Sequence, residues 1–150
     1  MEAGKWEALS EPEWQMLESA IAEFRQPLLA GLLALQPDWY EGELPIEAVA
    51  EMRIVKYQPF AQKAPSGRLV DLAGAERGDA PRGHGEFIRK SMVGLPIAVG
   101  RNLAGPLTLV EGYTRCCRAL RDYRTGLFDG LPIAMVVGVA DRIAEWSWMW

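Results

Sequence analysis

An apolar strand that passes through an acidic-glycine pair directly into an arginine-rich helix, from Leu107 to Leu120, restricts this chain to folds in which a sheet delivers a helix N-terminus. Leu107, Leu109 and Val110 have the aliphatic character of a buried strand, and Pro106 marks its start. Glu111-Gly112 ends it. Gly112 can adopt a backbone conformation that other residues avoid, and the following turn presents N–H groups with positive partial charge. Arg115 falls on the first helical turn, where its fork of donors suits a phosphate. The spacing equally allows Arg115 to pair with a carboxylate of the protein itself, in which case the turn is only a turn.

The 150 residues suffice for one core, and 49% apolar with 24% charged content is that of an ordinary globular protein. A net charge of −4 argues against a general nucleic-acid surface, so DNA binding is not expected. No uncharged run approaches the roughly 18 residues that span a bilayer, and Met1 to Trp6 lacks the basic and apolar regions of a signal peptide. The expectation is a cytoplasmic protein without a membrane segment. Cys116 and Cys117 are adjacent, which suits neither a structural disulfide nor metal ligation. They are expected to remain thiols packed as small apolar side chains, the alternative being a redox-sensitive thiolate beside Arg115 and Arg118.

Residues 10 to 36 read as helix. Ser10 to Glu13 is a capping box, and Trp14, Leu17, Ile21, Phe24 and Leu28 share a face. Pro27 predicts a kink or a junction of two helices, and Leu28 to Leu35 is apolar enough to be buried or to form a dimer seam. Residues 58–85 are rich in Gly, Pro, Ala and charge and read as a linker or a lid. The single histidine, His84, lies there between Gly83 and Gly85, whose small size would let it approach a ligand. Arg68, Arg77 and Arg82 would close over a phosphate from the same loop or remain solvated. At the C-terminal end, Asp141 can cap a helix carrying Ile143, Trp146 and Trp150 on one face. With Trp148, this tail is expected to pack back onto the sheet or the N-terminal helix, or to anchor a protein partner or a second copy of the chain.

The run Glu111-Gly112-Tyr113-Thr114-Arg115, followed by Arg118-Ala119, resembles the signature of the ParB/sulfiredoxin superfamily, an acidic residue and glycine followed by arginine and small residues. The surrounding order is similar too. Glu86 to Arg101 resembles that family's helix, glycine, Pro-Ile-x-Val strand and arginine, and Leu44 to Val49 resembles its opening segment. Leu131 to Val139 lies where such domains carry a further strand. The resemblance implies an α+β fold, a small mixed sheet with surrounding helices over residues 44–150, preceded by an N-terminal helical extension over 1–43.

The departures fall on the residues that carry chemistry. Sulfiredoxin has its reactive cysteine directly after the motif glycine, ParB a metal-binding glutamate commonly followed by arginine, and the free-serine kinases two histidines. Here the two positions hold Tyr113 and Thr114. What the resemblance implies is therefore nucleotide or phosphate binding, with ATP or CTP as ligand and Mg²⁺ as its counter-ion, and with hydrolysis or phosphotransfer as the reaction if there is one. Gly112, Tyr113 and Thr114 would cradle phosphate, with Arg115 paired to it and Arg101 and His84 closing the site. Glu111 would hold Mg²⁺ through water or act as base, and Glu47 of the opening segment is the second candidate base. Two other classes remain: an interaction protein, such as an inhibitor or complex subunit, and a ParB-like nuclease, for which a metal cluster is not evident in the sequence.

Overall fold

The computed structural model describes residues 6–24, 30–75, 95–128, 130–146 and 149. These form an α+β fold, as the sequence predicts. Strands β1 (Trp6–Ala8), β2 (Asp38–Leu44), β3 (Arg53–Ile54), β4 (Ile97–Gly100), β5 (Leu107–Glu111) and β6 (Ile133–Val139) make one mixed sheet. Its order is β1-β2-β6-β4-β5-β3. The β3–β5 and β4–β6 pairs are parallel and the others antiparallel. Around it lie α1 (Glu11–Phe24), α2 (Ala30–Leu33), α3 (Ile46–Ala50), α4 (Gln58–Lys63), α5 (Leu69–Ala75) and α6 (Tyr113–Thr125). Every residue of β4 and β5 is buried, so both faces of the sheet are covered where they lie. No helix among the described residues is long and apolar enough to cross a membrane.

The capping box forms as expected. The Ser10 N–H and hydroxyl both donate to Glu13 Oε1, at 2.9 and 2.8 Å, and Ser10 O receives the first helical N–H, from Trp14. Those two bonds hold the Glu13 carboxyl below its ordinary pKa. Leu17 and Ile21 of the predicted stripe are fully buried in the core of this chain, as is Leu32 of α2. The expected junction at Pro27, together with Leu28, lies outside the described residues.

Residues 1–43 are not simply a helical extension. β2 pairs along its whole length with β6, and β1 pairs with β2, so this segment supplies two of the six strands. Asp38, Glu41, Gly42 and Glu43 are poor strand formers, and pairing with the apolar β6 overrides that preference. Trp39 stands opposite Gly138 in the register. The missing side chain there admits the indole ring, since a Cβ on Gly138 would stand 2.7–3.0 Å from it.

The predicted loop 58–85 is also partly ordered structure. Pro59 starts α4. Ala64, Leu69, Leu72 and Ala73 are buried, and the Ile54 N–H to Gly67 and Leu69 N–H to Met52 hydrogen bonds tie the segment to β3 and the residue before it. The remainder of this stretch, with Arg77, Arg82 and His84, and the helix expected from Glu86 lie outside the described residues. In place of the predicted C-terminal helix there is a single 3-10 turn, Ile143–Glu145, ended by Trp146 in extended conformation. Trp146 is buried and lies beside Gly31 of α2, so this tryptophan packs back on the N-terminal segment. Trp148 and Trp150 lie outside the described residues.

Candidate functional site

β5 leads through Glu111 into Gly112, whose φ of +94° places it in the left-handed region, and α6 starts at the next residue. Two physical reasons require glycine here. A side chain in that conformation is strained, and a Cβ would stand 2.7 Å from Pro96 Cβ and 2.8 Å from Pro96 Cα. Gly112 offers no side chain to cap α6, and the first hydrogen bond of the helix runs from the Cys116 N–H to the Gly112 carbonyl at 3.1 Å. The N–H groups of Tyr113, Thr114 and Arg115 precede that bond and have no partner within the helix. Thr114 is half-buried and Arg115 exposed, so an anion at this turn would meet backbone donors, a hydroxyl and a guanidinium.

Glu111 is 2% exposed, and its Oε1 accepts the Gly112 N–H at 3.3 Å. The carboxylate is thus folded onto the turn rather than held out into solvent. Tyr113 turns the other way. Its hydroxyl donates to the Leu109 carbonyl and accepts the Val55 N–H at 3.0 Å, tying the end of β3 to β5, and its ring lies 4.5 Å, centroid to centroid, from that of Phe60. Burial drives the phenol pKa far above its ordinary value of 10.0. Only the main chain of Tyr113 is therefore available to a ligand. The signal for this was present in the sequence, because Tyr113, Cys116, Cys117 and Leu120 recur at helical spacing, and all four are buried.

The structure separates the other predicted site residues. Pro96 touches Gly112, whereas Arg101 follows the opposite end of β4, paired near the start of β5. Four strand residues intervene, or about 13 Å of chain at 3.3 Å per residue. Glu47 lines a cavity with Tyr123 and Gly126, at the last turn of α6. Thirteen residues of helix at 1.5 Å each put that cavity about 20 Å along the helix from Gly112. Glu47 and Glu111 thus do not form one catalytic pair. Glu111, Gly112, Thr114, Arg115 and the Tyr113 main chain remain together; His84 lies outside the described residues.

Cys116 and Cys117 are buried and form no disulfide. Burial, reinforced by Cys117 and opposed by Arg115, pushes the Cys116 thiol from 9.0 up to about 12. A redox-sensitive thiolate is the wrong reading for this residue. Because the folded pKa is the raised one, the thiol's contribution to stability is complete below pH 9 and is lost as pH rises from 9 towards 12. At about 1.4 kcal/mol per pH unit, the loss by pH 10.5 is about 2 kcal/mol. Urea midpoints at pH 8 and 10.5 should fall further in the wild type than in Cys116→Ala. Equal falls would show that Cys116 ionises as freely in the folded chain as in the unfolded one.

Comparison with protein-family models, with curated proteins and with solved structures finds no match to this chain. Among the described residues, no group of three or more His, Cys, Asp or Glu side chains could hold a metal ion.

Proposed function

We propose that the chain is a cytoplasmic phosphate- or nucleotide-binding protein whose ligand sits at the first turn of α6. The observation that carries this reading is the left-handed Gly112 opening a 13-residue helix without a side-chain cap, with Arg115 exposed on its first turn. The sequence resemblance to the ParB/sulfiredoxin superfamily supports ATP or CTP as the ligand. A phosphate fits the backbone donors, but the Glu111 carboxylate beside Gly112 would repel it unless a cation stands between them. Mg²⁺ suits that position, being commonly held by one carboxylate together with phosphate oxygens. The arrangement supports binding more strongly than catalysis.

A charge-assisted contact of about 1.5 kcal/mol corresponds to roughly tenfold in affinity, so Arg115→Ala should weaken nucleotide binding by at least that factor. Arg101→Ala, at the far end of β4, is the control and should change nothing. Glu111→Gln should abolish the dependence on Mg²⁺. The measurement is a thermal-shift screen with ATP, CTP, GTP and ADP, with and without Mg²⁺, followed by calorimetry on the variants. Equal affinities for wild type and Arg115→Ala would remove the assignment.

A second reading, a protein-interaction module or homodimer, is favoured by one feature. Leu127 and Leu131 are 76% and 64% exposed and stand close in sequence to Tyr123, also exposed, just beyond α6. Among the described residues that group, unlike the buried Leu17, Ile21 and Trp146, offers exposed apolar surface to a partner. Sedimentation of the wild type and of Leu127→Ser/Leu131→Ser should then differ in apparent mass.

A further inference from the structure

The outer edge of the sheet holds two arginines against each other. Beyond β3, the last strand in the sheet order, Arg68 forms an isolated antiparallel bridge with Arg53. Gly67, in the left-handed region at φ +76°, turns the chain back to make it. The backbone bonds flank the pair: the Ile54 N–H donates to the Gly67 carbonyl at 3.0 Å, and the Leu69 N–H to the Met52 carbonyl at 2.9 Å. Arg53 and Arg68 are thus a non-hydrogen-bonded pair, the kind whose Cα atoms approach to about 4.5 Å and whose side chains leave the strands on one face.

Like charges directly opposite each other are unfavourable, and nothing described relieves this contact. Both residues are exposed, and among the described residues neither guanidinium is paired with a carboxylate. Asp71, the next acid after Arg68 in the chain, accepts the hydroxyl of Ser66, whose Oγ in turn accepts the Arg68 N–H at 3.2 Å. The surroundings add to the positive potential: residues 52–128 carry thirteen basic side chains against six acidic, whereas residues 1–51 carry two against eleven. The complement of this edge is an anion.

Among anions, the pair selects. A carboxylate has one charge and two oxygens, which a single guanidinium fork satisfies. A nucleic-acid backbone spreads single charges along its length. A phosphate monoester concentrates about 1.5 to 2 negative charges on three terminal oxygens, enough to engage both forks at once. On an exposed edge the phosphate is covered from one side only, so further affinity has to come from the molecule that presents it. We propose that Arg53 and Arg68 form a recognition site for a phosphorylated side chain of a protein partner. The site is separate from the turn at Gly112, since Arg53 stands beside Thr108, about 10 Å along β5 from Glu111, and it does not depend on the nucleotide reading.

The full chain would be titrated with the peptide acetyl-Gly-phosphoserine-Gly-amide and with its glutamate counterpart, at about pH 7.5, above the second phosphate pKa of about 6. Binding would be followed at the arginine Nε–H resonances in ¹H–¹⁵N spectra, which locate the site and also report whether each variant is folded. The phosphopeptide should give saturable shifts at both Arg53 and Arg68 by about 20 mM, and the glutamate peptide should bind at least about tenfold more weakly. Arg53→Gln and Arg68→Gln should each weaken the phosphopeptide about tenfold. Arg53→Lys, which keeps the charge but not the fork, should weaken it less, and Arg118→Gln, exposed on α6, should leave it unchanged. No saturation, equal binding of the glutamate peptide, unaltered affinity in folded Arg53→Gln and Arg68→Gln, or tighter binding of inorganic phosphate or of an oligothymidylate at the same two arginines would each overturn the assignment.

Discussion

Gly112→Ala should lower stability by about 2–5 kcal/mol, combining about 1–2 kcal/mol for a left-handed alanine with about 1–3 kcal/mol for overpacking. The second part arises because Pro96 stands 2.7 Å from the position the new methyl would take, and Pro96 is held by the strand that follows it. In a domain of this size that corresponds to a fall of roughly 6–15 °C in melting temperature. Gly126→Ala isolates the cause. Gly126 has a similar φ of +78°, but nothing lies within 4 Å of its added Cβ, so it should show the backbone part alone. Were the two variants equally unstable, the Pro96 contact would have no energetic weight and the turn would be less constrained than its geometry implies.

Trp146→Ala should cost about 3–5 kcal/mol, the range for deleting a large buried aromatic side chain. Its indole lies against α2, where a Cβ on Gly31 would come 3.5 Å from the ring. Loss of the ring would leave a void between the C-terminal tail and α2. Since a domain typically has only about 5–15 kcal/mol in total, the urea midpoint should drop by a large fraction of its value. An unchanged midpoint would mean that Trp146 is dispensable to the fold and available for recognition.

The features legible in the sequence were those that local chemistry dictates. The strand Leu107–Glu111, the left-handed Gly112, the helix after it and the Ser10–Glu13 cap each follow from a few neighbouring residues, and each is present. What escaped depends on pairing between distant segments. β2 carries two glutamates and a glycine and becomes a strand because β6 lies beside it. Val70 to Ala75 reads as no more than one short turn, and it becomes part of α5 because Leu69 and Leu72 are buried. The same division runs through the candidate site. Its contiguous part stayed together, but Arg101 and Glu47 had been grouped with it by family order, and strand direction and helix length carry them away. The Trp39–Glu18 hydrogen bond was not foreseen at all, because α1 and β2 are brought together only by the tertiary fold.

The register of β2 against β6 has a consequence for how the protein comes into being. Asp38 meets Val139, so about a hundred residues must be in hand before the central antiparallel ladder can close. The length-dependent part of that closure is roughly 4 kcal/mol of chain entropy, met before most of the ladder's hydrogen bonds form. On a ribosome, β1 and β2, with α1 and α2 between them, would emerge early and wait as an isolated two-stranded pair, a unit that is marginal in water. Trp39, whose seat on Gly138 is translated about a hundred residues later, would stay uncovered throughout that interval. Slow refolding and a need for protection of the nascent N-terminal third are the expected signature of this topology.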